Sequence, residues 1–256
     1  MDPMSSPSAV TCQPAGRFGV RALLAATALA LVAVPFALLL FLVKDKWPPL
    51  ARADAGTSAD LHTYAVGHAQ FVSALRALST LGSTSVWLPV FAVVVGWLLW
   101  RRLPRLALFV VVTVVGSSLL NSAVKVLVNR ARPVLPDPVA HASGMSFPSG
   151  HAQAAVVGYA VLLLVFLPVL RGAWRTAAIA VAAVMVLGIG FSRIALGVHY
   201  VSDVLAGYIL GAAWVAAMTA AFNASRVAQG RPRVTADQGL EPEAAGQLGP
   251  GERPGH

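Results

Sequence analysis

The stretch LALFVVVTVVGSSLLNSAVKVLVNRARP, residues 106–133, decides the class of this protein. Its first nineteen residues, Leu106–Val124, carry no charge; Lys125, Arg130 and Arg132 then follow in quick succession. Crossing the hydrocarbon core of a bilayer takes roughly 17–25 apolar residues of helix, so this run is long enough to span. Working outward, five further blocks approach or reach that length: Ala22–Val43, Thr84–Trp100, Ala152–Leu170, Thr176–Phe191 and Val204–Phe222, the Thr176 block being the shortest. Hydrocarbon offers peptide groups no partners, so a spanning backbone must close its own hydrogen bonds. None of the blocks alternates as barrel strands do. The expected fold is an all-α, polytopic membrane protein with six transmembrane helices in a bundle. Composition agrees: 57% of the chain is hydrophobic and 11% charged, against about 25% charged in soluble domains.

The formal charge of +9 does not indicate a nucleic-acid partner, because the basic residues punctuate the apolar blocks instead of forming a patch. Arg17 and Arg21 precede the first block, Arg101, Arg102 and Arg105 fill the second connection, and Arg171 and Arg175 the fourth. Arg226, Arg231 and Arg233 follow the last block. The positive-inside rule puts these segments, and both termini, in the cytoplasm. The first apolar run exceeds the roughly 7–15 residues of a cleavable signal, so it is expected to stay. The lone cysteine, Cys12, allows neither an intramolecular disulfide nor a cysteine metal cluster.

The expected organisation is a disordered N-terminus over 1–16, a six-span domain over 17–224, and a disordered cytoplasmic tail over 225–256. Within the domain the segment 44–83 faces outward. Its first half, with Pro48-Pro49 and Ala55-Gly56, reads as loop. From Thr57 the residues Leu61, Ala65, Ala69, Val72, Leu75 and Leu78 recur at helical spacing, with Asp60 expected in the first turn. Such a helix either lies on the membrane surface or packs over the bundle.

Ionisable residues at membrane depth are costly and usually face protein or a water-filled cavity. Here they gather in three places, all on the outward side. Lys125 and Arg132 are seven residues apart, on one face if the helix continues, before Pro133 ends it. Phe147-Pro148-Ser149-Gly150-His151 makes a turn into the fourth block, where free backbone N–H groups form an anion site; Ser149 could equally serve only as an N-cap. Ser192-Arg193, His199 and Asp203 join the fifth and sixth blocks. His199 and Asp203, at i and i+4, can meet, and a carboxylate on one imidazole nitrogen leaves the other oriented and free. The alternative is that Asp203 only caps the last helix. Lys125, Arg132 and Arg193 converging on one cavity suit a dianionic tetrahedral group, phosphate.

These residues resemble the three-part signature of the type 2 phosphatidic acid phosphatase family, which shares its site with vanadium haloperoxidases. The match runs from Lys125, six residues, Arg132-Pro133, through Pro148-Ser149-Gly150-His151, to Ser192-Arg193, five residues, His199, three residues, Asp203. The resemblance implies that His199 attacks phosphorus and forms a phosphohistidine, oriented by Asp203. It implies that Lys125, Arg132, Ser149, Gly150 and Arg193 bind the phosphoryl oxygens and that His151 serves as acid and then base. No metal and no other cofactor is implied, and the partner is a membrane lipid substrate at the extracytoplasmic face. Asn121 and Tyr200 lie close to these motifs without an assigned role.

Other readings of the same residues are a haloperoxidase, disfavoured because those relatives are soluble, and a metal hydrolase using His151, His199 and Asp203, disfavoured by three adjacent cations. A non-enzymatic lipid-phosphate binding or transport protein explains the spans and cations but not the His–Asp pair. Among substrates the Ala-, Val- and Arg-rich composition points to a GC-rich bacterium, where relatives recycle the prenyl carrier of wall synthesis. That favours undecaprenyl pyrophosphate over phosphatidic acid and phosphatidylglycerol phosphate.

Overall fold

The structure, a computed structural model, describes residues 33–136 and 138–249. The expected disorder at 1–16 and the start of the first block, residues 22–32, lie outside the described residues. The helices are α1 (Ala33–Lys44), α2 (Pro48–Val66), α3 (Ala69–Thr80), α4 (Thr84–Trp100), α5 (Pro104–Val128), α6 (Gly150–Phe166), α7 (Gly172–Ala195) and α8 (Val201–Ala228). Among the described residues no strand occurs. Four stretches are long and apolar enough to cross a membrane: Ala69–Trp100, which joins α3 and α4, then α5, α7 and α8. The helices α1 and α6 are apolar but shorter. The fifth block, short in the sequence, belongs to a helix of 24 residues.

The connections alternate between the two ends. α5 and α7 finish, and α6 and α8 begin, at one end; Arg101, Arg171 and Arg226 mark the other. α5 stops where Asn129 adopts a left-handed conformation (φ 51°, ψ 44°) and its N–H returns to the Lys125 carbonyl at 2.9 Å. Lys125 and Arg132 are therefore not on one continuous helical face, as the spacing suggested; Arg132 belongs to the irregular segment that follows. Trp87, Phe91, Leu106, Val110, Val161 and Val165 are among the apolar residues closing the core between α4, α5 and α6.

Segment 44–83 differs from the sequence reading. Its first half is helix, not loop: Pro48 and Pro49 stand at the first helical positions, where a missing N–H costs nothing, and Gly56 lies mid-helix. Asp60 is mid-helix too, and exposed, not in a first turn. Of the two placements open for the helix, the structure shows packing over the bundle. Asp54, Ser58, His62 and Ala65 of α2 are buried, as are Val72 and Leu75 of α3 against Ala195, Leu196 and Val198. The helix forms despite the roughly 1 kcal/mol that a mid-helix glycine costs, with Asp54 ion-paired and Ser58, His62 and Ala65 buried.

The tail is the second difference. Residues 229–249 fold back on the opposite end, with Leu240, Ala244 and Leu248 buried in the same core as Leu164. The Leu240 N–H donates to the Leu164 carbonyl at 3.1 Å. Arg226 is fully buried and bonds Glu243 at 2.7 Å, while Arg101 donates to the Gly249 carbonyl at 2.9 Å. Three apolar residues without period and a few charge pairs leave little trace in a sequence, yet they suffice to pin a strap to a preformed surface.

The helices α6 and α8 meet most closely at Gly207, where an added Cβ would lie 2.6 Å from the Ser149 carbonyl oxygen. That neighbour is backbone and cannot swing aside. Gly207→Ala should destabilise by about 1–3 kcal/mol, the usual cost of overpacking, and displace the start of α6. A detergent-solubilised variant should show a lower Tm together with lower activity.

Candidate active site

At the end where α5 and α7 finish and α6 and α8 begin lies a cavity of about 820 Å³. Lys125, Arg132, Gly150, His151, Arg193 and His199 all line it, so six of the eight sequence-expected site residues meet there. Lys125 is in the last turn of α5, Gly150 and His151 open α6, and Arg193 is in the last turn of α7. The first N–H groups of α6 reach the same space, the geometry that suits an anion. Arg76 of α3 also contributes to the wall, and among the described residues no carboxylate does.

Each cation is anchored by neutral acceptors. The Lys125 ammonium donates to the Met145 carbonyl at 2.6 Å. Arg132 donates to the carbonyls of Gly144 (3.0 Å), Ser143 (3.0 Å), Met145 (3.2 Å) and Val198 (2.8 Å). Arg193 donates to the Ser79 hydroxyl at 2.6 Å. Carbonyls and hydroxyls fix the side chains without cancelling their charge, so the cavity keeps a positive field for an anionic ligand.

His199 and Asp203 do pair, with Nδ1 and Oδ2 at 3.4 Å, but not along one helix. His199 precedes α8, whose N-cap is Tyr200. Asp203 is both a cap and a partner: its Oδ2 also accepts the Tyr200 N–H at 2.9 Å. The Nε2 of His199 lies 3.0 Å from Nη1 of Arg132. A guanidinium only donates, so Nε2 is the acceptor and the neutral ring carries its hydrogen on Nδ1, toward Asp203. Burial, with Arg132 and Arg193 adding, lowers the His199 pKa from 6.5 to about 4 against the opposing pull of Asp203. At neutral pH the ring is uncharged.

Ser149 caps α6 in this structure. It is fully buried behind the cavity wall, and its hydroxyl accepts from the Ala152 N–H at 3.5 Å as the N-cap of α6. Its own N–H donates to the Asp203 carbonyl at 2.9 Å, which ties the starts of α6 and α8 together. Asn121 supports that turn from below, with Oδ1 3.4 Å from where a Gly150 Cβ would stand and its amide donating to Gln153 at 2.7 Å.

Two residues were missed by the sequence reading. Arg130 carries no role in the sequence pattern, yet its Nη1 meets Asp203 Oδ1 at 2.7 Å and its Nη2 meets Asp54 Oδ2 at 2.8 Å. Asp54, 1% exposed, also accepts the Ser202 N–H at 3.0 Å and the Ser202 hydroxyl. The guanidinium carbon lies 4.2 Å from the centre of the Tyr200 ring. The one available signal is charge balance: a half-buried arginine at the end of an apolar block draws its acid from a remote segment.

A family model described as the PAP2 superfamily matches residues 106–226. Phosphatidylglycerophosphatase B of Bacillus subtilis is 34% identical over 140 residues, 54% of this chain and 68% of that protein. The chain belongs to the PAP2 superfamily. An undecaprenyl-diphosphatase of Sulfolobus acidocaldarius is 27% identical over 191 residues, covering 70% of this chain and 85% of that protein. A crystal structure described as the first transmembrane PAP2 type phosphatidylglycerolphosphate phosphatase, from Bacillus subtilis, superposes with a TM-score of 0.64. It covers 73% of this chain and 94% of that one at 27% identity. The PAP2 match begins at Leu106, so Asp54 lies outside it.

The depressed pKa of His199 has a consequence for stability. Between pH 6.5 and about 4 the unfolded chain binds a proton at this position that the folded chain refuses. Stability is therefore retained above pH 6.5 and lost as the pH falls through that window, by about 3 kcal/mol at 1.36 kcal/mol per unit. Thermal unfolding of wild type and His199→Gln across pH 4–7 should show a shallower slope in the variant.

Proposed function

We propose that this PAP2 protein is a metal-independent phosphatase acting on a phosphate carried by a membrane lipid, through a phosphohistidine at His199. The observation that carries the reading is the His199 ring itself: Nδ1 is held by Asp203 and the Nε2 lone pair is turned toward Arg132 and the cation-lined cavity. Lys125, Arg132, Arg193 and the N–H groups at Gly150 would hold the phosphoryl oxygens, with Ser149 acting indirectly by capping the helix that presents them.

In the first step Nε2 bonds to phosphorus as the bond from phosphorus to the leaving oxygen breaks. His151, on the cavity wall and carried as imidazolium once the anionic substrate is bound, gives that oxygen its proton and becomes neutral. Asp203 stabilises the charge that develops on the ring. In the second step His151 takes a proton from water, whose oxygen bonds to phosphorus as the bond to Nε2 breaks; phosphate leaves and both histidines are restored. Phosphoryl transfer rests mainly on position and charge stabilisation, which the three cations supply.

Residues 17–224 would form the catalytic unit. The cavity end would face away from the cytoplasm, supported by Arg101, Arg102, Arg105 and Arg171 at the opposite ends of the helices. Among lipids, the sequence composition favours undecaprenyl pyrophosphate, and the 34% relative named for phosphatidylglycerophosphate supports that substrate as the competitor.

Phosphate release by detergent-purified protein in EDTA, across prenyl pyrophosphates, phosphatidic acid and phosphatidylglycerol phosphate, tests this directly. Turnover should persist in EDTA, fall to background in His199→Ala, and fall roughly 10²–10⁴-fold in His151→Ala. Orthovanadate, a mimic of the five-coordinate transition state, should inhibit. Activity lost in EDTA and restored by zinc would overturn the metal-free reading. A folded wild type releasing no phosphate from any lipid would instead favour binding or transport.

The substitutions also separate the two histidines. If His151 is the acid for the first step, its loss should hurt least with the substrate whose leaving group is most acidic. The fall for His151→Ala should therefore be smaller with a pyrophosphate than with a phosphate monoester of an alcohol.

A further inference from the structure

We propose that Asp54, on α2, is a positioning residue that acts through Arg130 to keep the negative charge of Asp203 available to His199. The inference rests on the phosphatase reading above and adds a residue outside the PAP2 match, from a segment the sequence suggested was loop.

The geometry is a chain of opposite charges, Asp54 to Arg130 at 2.8 Å and Arg130 to Asp203 at 2.7 Å, ending at His199 Nδ1. Both carboxylates are buried, Asp203 completely. Arg130 is bonded from both sides by carboxylate and stacked on Tyr200, so it holds one position. Asp54 also receives the Ser202 N–H at 3.0 Å and the Ser202 hydroxyl, which fastens α2 to the first turn of α8 beside Asp203.

Charge balance explains why the second carboxylate matters. Arg130 alone would neutralise Asp203, and the imidazole would face a net neutral pair while positive charge grows on its ring. Asp54 neutralises Arg130 instead, so the three groups together present one negative charge to His199. The arginine then orients Asp203 without withdrawing the charge that the ring needs. A buried acid that served only to dock α2 would have no reason to share its partner with the carboxylate behind His199.

Asp54→Asn keeps the shape and an acceptor for Ser202 but removes the charge. With the preferred lipid, its kcat should fall ~10–100-fold, the range seen when outer partners of metal-bound histidines are removed. KM should stay close to wild type, because nothing lining the cavity changes. The decisive comparison is the double variant Asp54→Asn/Arg130→Gln, which restores a single net negative charge at Asp203, still held by the Tyr200 N–H and His199. Its kcat should exceed that of Asp54→Asn. A kcat for folded Asp54→Asn equal to wild type, or a double variant no faster than Asp54→Asn, would overturn the proposal. Should Asp54→Asn not fold, the double variant decides alone: kcat within tenfold of wild type supports the role and a larger loss overturns it. Wild type and His199→Ala run alongside keep the readings apart. Failure of wild type to release phosphate is failure of the phosphatase reading, whereas normal turnover by Asp54→Asn beside an inactive His199→Ala removes only the role of Asp54.

Discussion

Lys125, Arg132 and Arg193 face one cavity at the end of an apolar bundle, and the rest of the site is organised around keeping their charges unpaired. Like charges gathered in a poorly solvated place repel, so each must be held against swinging away. Carbonyls of the 143–145 and 198 backbone and the Ser79 hydroxyl do the holding. Had carboxylates done so, the cavity would have been neutral and would have lost its preference for phosphate. Among the described residues, the acids Asp54 and Asp203 are turned onto Arg130, behind the wall. Breaking such a buried pair by removing one partner costs about 3–5 kcal/mol, which keeps those acids where they are.

This separation depends on elements distant in sequence. The cations come from the end of α5, the segment after it, and the last turn of α7; the histidines come from the start of α6 and the turn into α8. Helices that alternate in direction bring these ends to one level, and close approach at Gly207 fixes α6 against α8 to within a side-chain radius. The α2–α3 segment then covers that end. It supplies Ser79 to Arg193 and Asp54 to Arg130, so the cover is part of the site's support.

The tail at the other end follows a simpler logic. Leu240 and Leu248 fill a surface that already exists, and Arg226, fully buried, pairs with Glu243. Nothing in that arrangement reaches the cavity, which lies at the far ends of the same helices.

What the sequence determined by itself was set by local rules. Apolar length specified an all-helical membrane bundle, because hydrocarbon tolerates no unpaired backbone. The order and spacing of Lys125, Arg132, Gly150, His151, Arg193, His199 and Asp203 specified the cavity lining and the His–Asp pair. The tertiary structure alone decided the burial of Ser149 at the start of α6, the end of α5 at Val128, the helix over 48–66 and the folded tail. It alone joined Asp54 to Arg130, 76 residues apart. Local propensity favours a turn at Pro48-Pro49 and Gly56, and only a partner brought by folding makes the helix worth forming. A charge pair between remote segments leaves no periodicity, so it becomes visible only when the chain is packed.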